Sequence, residues 1–88
     1  MVELPVPRSD INDRLKKIEG QVKGIQKMVE GERECVDIII QLAAAKAGLE
    51  SVVGLVLRNY TAICLEKKGP EIGAELARAV SIWVGGKA

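Results

Sequence analysis

Residues 32–66 read ERECVDIIIQLAAAKAGLESVVGLVLRNYTAICLE, and this stretch carries both cysteines of the chain, Cys35 and Cys64. It reads as one uninterrupted helix. The cysteines are 29 positions apart, which at the helical rise separates them by about 43 Å, too far to meet within one chain. The same interval is about eight whole turns, so both thiols project from one face. Now lay a copy of this helix antiparallel, with a two-fold axis between Leu49 and Glu50. Cys35 of one chain then comes level with Cys64 of the other, at both ends of the pair. An isologous interface produces that reciprocity automatically. The expectation is an inter-subunit dithiol, present twice per dimer.

At 88 residues the chain has room for one small domain. A chain this short buries only about 60–65% of its unfolded surface and is marginal alone, so oligomerisation is a common remedy. Hydrophobic residues make up 48% but aromatics only 2%, with no Phe. Such a core is aliphatic, which suits helix on helix. A net charge of +1 gives no bulk attraction to nucleic acid or to an acidic membrane, so a DNA-binding surface requires local segregation of charge. The opening MVELPVPRSD has no apolar run, so no signal peptide is expected. No unbroken run of 18 apolar residues occurs, so no membrane crossing is expected and the location is cytoplasmic. Histidine is absent, which removes most zinc sites, the usual general base and His-dependent triads; no enzyme is expected.

Working outward, residues 1–8 read as an extended arm with nothing to bury, because Pro5 and Pro7 bias their predecessors away from helix. Ser9 or Asp10 is the candidate N-cap of a first helix over about 10–30, with Asp13 adding negative charge in its first turn. Ile11, Leu15, Ile18, Val22, Ile25 and Val29 form its heptad seam. Gly20 and Gly24 lie off that seam, for close approach either of a neighbouring helix or of a ligand or DNA. Gly31 is the candidate C-cap, and the short turn after it returns the second helix antiparallel, over about 32–66. Lys67, Lys68, Gly69 and Pro70 end that helix, and a third follows over about 70–84 with the apolar stripe Ile72, Leu76, Ala79, Val80 and Trp83. The expected fold is all-α, a three-helix protomer with a long central helix.

Cys35 sits in the first turn of its helix, where the dipole favours thiolate. Arg33 adds to this, while Glu32, Glu34 and Asp37 oppose it. Cys64 lies near the helix C-terminus, so Cys35 is the expected attacking thiol and Cys64 the resolving one. Two such thiols suit exchange with sulfur species, ligation of a soft cation such as Cu(I), or plain burial as small core residues. Tyr60, one turn before Cys64, neighbours the site as a packing residue. Lys16, Lys23 and Lys27, flanked by Arg14 and Lys17, form a basic stripe on the first helix. On charge alone that stripe is a solvated helix face rather than a DNA surface.

The run RLKKIEGQVKGI (14–25), then MVE (28–30), then CVDIIIQ (35–41) resembles the CsoR/RcnR family of small all-helical bacterial repressors, and the likeness extends over about residues 9–84. The resemblance implies a three-helix protomer dimerised through its second helix into an antiparallel four-helix bundle, assembled as a dimer of dimers. It implies an operator-binding repressor released by an inducer at an inter-subunit site. The DNA-facing groups it implies are Arg14, Lys16, Lys17, Lys23 and Lys46. The family's copper sensors carry a His where this chain has Tyr60, and its nickel/cobalt and formaldehyde sensors use His or an N-terminal group beside the first cysteine. With two cysteines and no His, the chain is most similar to the CstR-type persulfide sensors, in which per- or polysulfide links thiols of neighbouring subunits. The reading is therefore a repressor that senses reactive sulfur through Cys35 and Cys64, with no resident cofactor. The first alternative is a Cu(I)-responsive repressor using the same two thiolates. The second is a thiol redox protein without DNA binding.

Overall fold

The computed structural model describes residues 4–67 and 70–85, with the backbone alone described at 64–67, 70 and 72. Three helices follow in order: α1 (Arg8–Glu30), α2 (Cys35–Lys67) and α3 (Pro70–Gly85). Among the described residues there is no strand. The expectations for Lys68, Gly69, Gly86 and the side chain of Ile72 fall outside the described residues.

The start of α1 differs from the expected Ser9 or Asp10 cap. Pro7 is the N-cap residue, extended at ψ 140°, with no side-chain cap hydrogen bond. Its carbonyl accepts from the Asp10 and Ile11 N–H groups at 3.0 and 3.4 Å. Proline forfeits no bond here, because the first N–H groups of a helix have no intrahelical partner. Asp10, rather than Asp13, is the acidic group of the first turn. The arm also contributes more than expected: Val6 is buried, at 9% exposure.

The α1–α2 turn is a Schellman closure. The Arg33 N–H donates to the Met28 carbonyl at 3.0 Å, and the Glu32 N–H to the Val29 carbonyl at 3.2 Å. Gly31 is the C-cap, as expected, but at φ −86°. The left-handed position falls one residue later, on Glu32 at φ 55°. An L-residue there carries roughly 1–2 kcal/mol of strain. Glu32→Gly is therefore expected to stabilise the chain by up to about 1 kcal/mol, after the larger unfolded-state entropy of glycine is offset. A thermal melt showing a lower midpoint would contradict this.

The chain divides into two compact units, residues 6–56 and residues 1–5 with 57–88. In the first, α1 runs antiparallel to the leading part of α2. Arg14 meets Ser51, and further along α1 Ile18 lies against Gly48, so contacts move back along α2 as they advance along α1. The seam of α1 is split. Ile18 and Ile25 are buried, while Leu15, Val22 and Val29, alternating with them, stay exposed. The same happens on α2, where Ala45 and Val52 are buried and Leu42, Leu49 and Val56 are exposed. Each helix thus has one apolar line satisfied within the protomer and a second left uncovered. In the second unit, α3 pairs with the end of α2, and the Tyr60 hydroxyl donates to Glu75 Oε2 at 2.8 Å.

Within the protomer the close helix approach does not fall at Gly20 or Gly24. A Cβ at Gly20 or Gly24 meets nothing within 4 Å, because both face away from α2. The close approach is at Gly48, where a Cβ would lie 3.2 Å from Ile18 Cγ1. Gly48→Val is expected to destabilise the protomer by about 1–3 kcal/mol through overpacking. Gly24→Ala, in open space, is expected to stabilise it by up to about 1 kcal/mol. Parallel thermal melts of the two variants check the contrast.

Over Cys35–Ile63, α2 is long and apolar enough to cross a membrane. This qualifies the expectation drawn from unbroken apolar runs. Asp37, Lys46, Glu50 and Arg58 punctuate that segment. Charges at bilayer depth cost about 2.5–3.5 kcal/mol each, whereas an interface between proteins can keep them at its margin.

Candidate functional site

Cys35 opens α2. It is a free, exposed cysteine. The Glu34 carbonyl just before it accepts the first helical bond, from the Ile38 N–H at 3.2 Å. Arg33, expected to act on Cys35, is paired instead with Asp37, Nη2 to Oδ2 at 3.8 Å. Cys64 lies in the last turn of the same unbroken helix, and its side chain falls outside the described residues.

The position of Cys35 has structural meaning. Cys35, Leu42, Leu49 and Val56 follow one another at intervals of seven, the spacing of one helical seam. The last three are among the apolar residues that α2 leaves exposed, together with Val36, Ile39 and Ile40, and Cys35 stands at the end of their line. Leu42 and Val56 flank Leu49 at equal intervals, and Cys35 lies one further interval of seven beyond Leu42. The midpoint between Cys35 and Cys64 falls beside Leu49.

Val22, Val29, Leu42 and Leu49 line a groove of about 810 Å³ between α1 and α2, edged by Lys23, Lys27, Glu30 and Lys46. A second cleft of about 430 Å³ is lined on a different side of the helix pair by Arg14, Lys17, Gln21 and Ser51. The five basic residues named from the sequence are therefore not one cluster. Arg14 and Lys17 share the polar cleft, Lys23 and Lys46 share the apolar groove, and Lys16 is exposed and lines neither.

Tyr60 is half-buried, and its hydroxyl is engaged by Glu75. Among the described residues no three His, Cys, Asp or Glu side chains gather as a metal cage. Sequence reasoning missed Gln21, Ser51 and Glu75. The pairing of Ser51 with Arg14 was recoverable from the antiparallel register of two helices joined by a short turn. Glu75 had no local signal.

A three-helix chain with a cysteine at the edge of an uncovered helical seam is the class of protomer defined so far. Residues 8–82 match the family model described as metal-sensitive transcriptional repressor. The chain belongs to that family. It is 45% identical over 58 residues to the copper-sensing transcriptional repressor CsoR of Bacillus subtilis, a match covering 66% of this chain and 57% of that relative. The matched stretch thus spans little more than half that protein's length. It is 34% identical over 70 residues to the copper-sensing transcriptional repressor RicR of Mycobacterium tuberculosis, covering 75% and 73%. In structure it is similar to the copper-sensing repressor CsoR with Cu(I) from Geobacillus thermodenitrificans, at TM-score 0.79 and 33% identity over 94% of this chain and 95% of that one. It is also similar to the nickel-responsive transcriptional regulator InrS, at TM-score 0.77 and 29% identity, covering 92% and 97%. These relatives are named for sensing metals; the reactive-sulfur sensing expected from the sequence has no counterpart in those names.

Proposed function

We propose that the chain is a cytoplasmic, DNA-binding transcriptional repressor whose signal is Cu(I), taken by Cys35 of one subunit and Cys64 of the other. The observation that carries this is the uncovered line of α2. Its apolar members Leu42, Leu49 and Val56 centre on Leu49 and Cys35 continues it beyond Leu42, so an antiparallel copy crossing at Leu49 also brings the two cysteines level. The antiparallel four-helix bundle is the resulting dimer, and a dimer of dimers is the expected assembly. Two thiolates are the soft donors that Cu(I) prefers over harder divalent ions. Tyr60 is no soft ligand, and its hydroxyl already serves Glu75. The relatives' copper-sensing names support this reading over the reactive-sulfur one. Arg14, Lys16, Lys17, Lys23 and Lys46 are the proposed DNA-facing cations.

Reactive sulfur remains the second reading, favoured by the absence of His. There the Cys35 thiolate attacks the outer sulfur of a persulfide, RSSH, forming Cys35–S–SH as the thiolate RS⁻ leaves. The Cys64 thiolate then attacks the Cys35 sulfur and closes the disulfide as hydrosulfide leaves. Titration of the protein bound to duplex DNA with Cu(I), and separately with polysulfide, decides between the readings. Release at one Cu(I) per dithiol supports the first. Release by polysulfide alone, with bridged dimers on a non-reducing gel, replaces it with the second.

A further inference from the structure

Between Asp37 and Arg58, α2 carries only two charged residues, Lys46 and Glu50. Both are exposed. They stand one turn apart on one helix, a spacing at which side chains can pair. Yet among the described residues Arg33–Asp37 is the one ion pair, so Lys46 and Glu50 do not bond each other within the protomer. Lys46 edges the apolar groove beside Leu42 and Leu49. Charges at the middle of an apolar seam weaken its pairing unless something offsets them.

Helix geometry supplies the offset. At about 100° per residue, Lys46 and Glu50 fall on one side of the Leu42–Leu49–Val56 line. Ala45 and Val52, buried within the protomer, fall on the other. The two-fold axis that aligns Cys35 with Cys64 also puts Glu50 level with the partner's Leu49 and Lys46 level with the partner's Val53. It carries each side of the line onto the same side in the copy. Along the helices, the two Glu50 residues are then about 1.5 Å apart in level, and Lys46 is about 4.5 Å from the level of the partner's Glu50. One edge of the seam reads Lys46, the partner's Glu50, Glu50, the partner's Lys46. The two central carboxylates repel each other, and a lysine at each end offsets them.

We propose that this Lys–Glu–Glu–Lys row selects a second copy of the chain, in this antiparallel register, as the occupant of the uncovered seam. Apolar side chains attract without direction. The row adds rejection, because a slipped register or a foreign helix leaves the carboxylates without their lysines. This rests on the dimer reading and deepens it by assigning what chooses the partner. Lys46, also among the proposed DNA-facing cations, keeps this place with or without DNA.

The test uses the full chain without DNA or metal. Sedimentation equilibrium at low salt reads the dimerisation of Lys46→Glu and of Glu50→Lys, with circular dichroism recorded alongside. Each substitution turns the row into four like charges and is expected to weaken dimerisation by roughly tenfold or more, with a smaller loss at high salt. An equal mixture of the two variants instead gives a row of alternating sign. Native mass spectrometry of that mixture is expected to show mixed dimers above the share of random pairing, and helicity is expected to rise on mixing. Wild-type dimerisation in both single variants overturns the proposal. So does random pairing in the mixture. If the wild type itself sediments as a monomer, it is the dimer reading that fails.

Discussion

Cys35→Ser is expected to leave the chain folded and bound to DNA but deaf to copper. The thiol is exposed in the protomer, so exchanging sulfur for oxygen removes no core packing and should change stability by less than about 0.5 kcal/mol. It does remove one of the two soft donors. Loss of an outer-shell partner alone weakens metal sites by about 10–100-fold, so loss of a ligand should exceed that range. In the wild type, Cu(I) is expected to lower DNA affinity by roughly 5–150-fold, the usual span of an allosteric coupling. In the variant that factor should fall to one. Linkage adds an internal check, because DNA must weaken Cu(I) binding to the wild type by the same factor. A Cys35→Ser protein that still releases DNA on Cu(I) addition would remove Cys35 from the sensing site.

Leu49→Lys is expected to dissociate the dimer. Leu49 is 41% exposed in the protomer, so a lysine there harms little within one chain. Beside a two-fold axis it would face its own copy, placing two ammonium groups together at the interface centre. An uncompensated buried charge costs about 3–5 kcal/mol, which weakens dimerisation by roughly 100–1,000-fold or more. Because a chain of this size is marginal alone, helicity measured by circular dichroism should fall as the protein is diluted. Sedimentation equilibrium provides the direct readout. Leu49→Met, similar in volume and uncharged, should remain dimeric. A stable Leu49→Lys dimer would show that the two-fold axis lies elsewhere.

The two predictions concern different parts of one device. In the proposed assembly the uncovered seam makes the dimer, and the dimer brings the two thiols together. Strain is the proposed physical link to DNA. A metal or sulfur bridge between the ends of two long helices alters how those helices sit, and with them the spacing of basic groups across the assembly. A bridge shifts this equilibrium only by its differential affinity, so one that did not distinguish the DNA-bound from the free arrangement would release nothing.

Much of this molecule is written in local sequence. The spacing of Ile11 through Val29 announces α1, and the apolar run after Cys35 announces α2. The bounds agree within a few residues because helix periodicity is a property of the chain itself. The all-α class and the antiparallel return after Gly31 follow from the same signals. The family resemblance followed from a contiguous run of residues, and the proposed alignment of Cys35 with Cys64 rests on helix arithmetic alone.

Other features were decided by packing. Sequence periodicity marks a residue as apolar but does not say which of two seams a neighbouring helix will cover. Only the fold assigns Ile18 and Ile25 to the protomer core and leaves Val22 and Val29 exposed. It is likewise the fold that puts the tight approach at Gly48 rather than Gly20 or Gly24, and the left-handed turn on Glu32 rather than Gly31. The split of the basic residues between two clefts, the Arg14–Ser51 contact and the Tyr60–Glu75 bond join side chains distant in sequence. Such pairings depend on the rotation of one helix about its axis relative to another. That rotation is set by how whole surfaces interlock, and no local stretch of sequence encodes it.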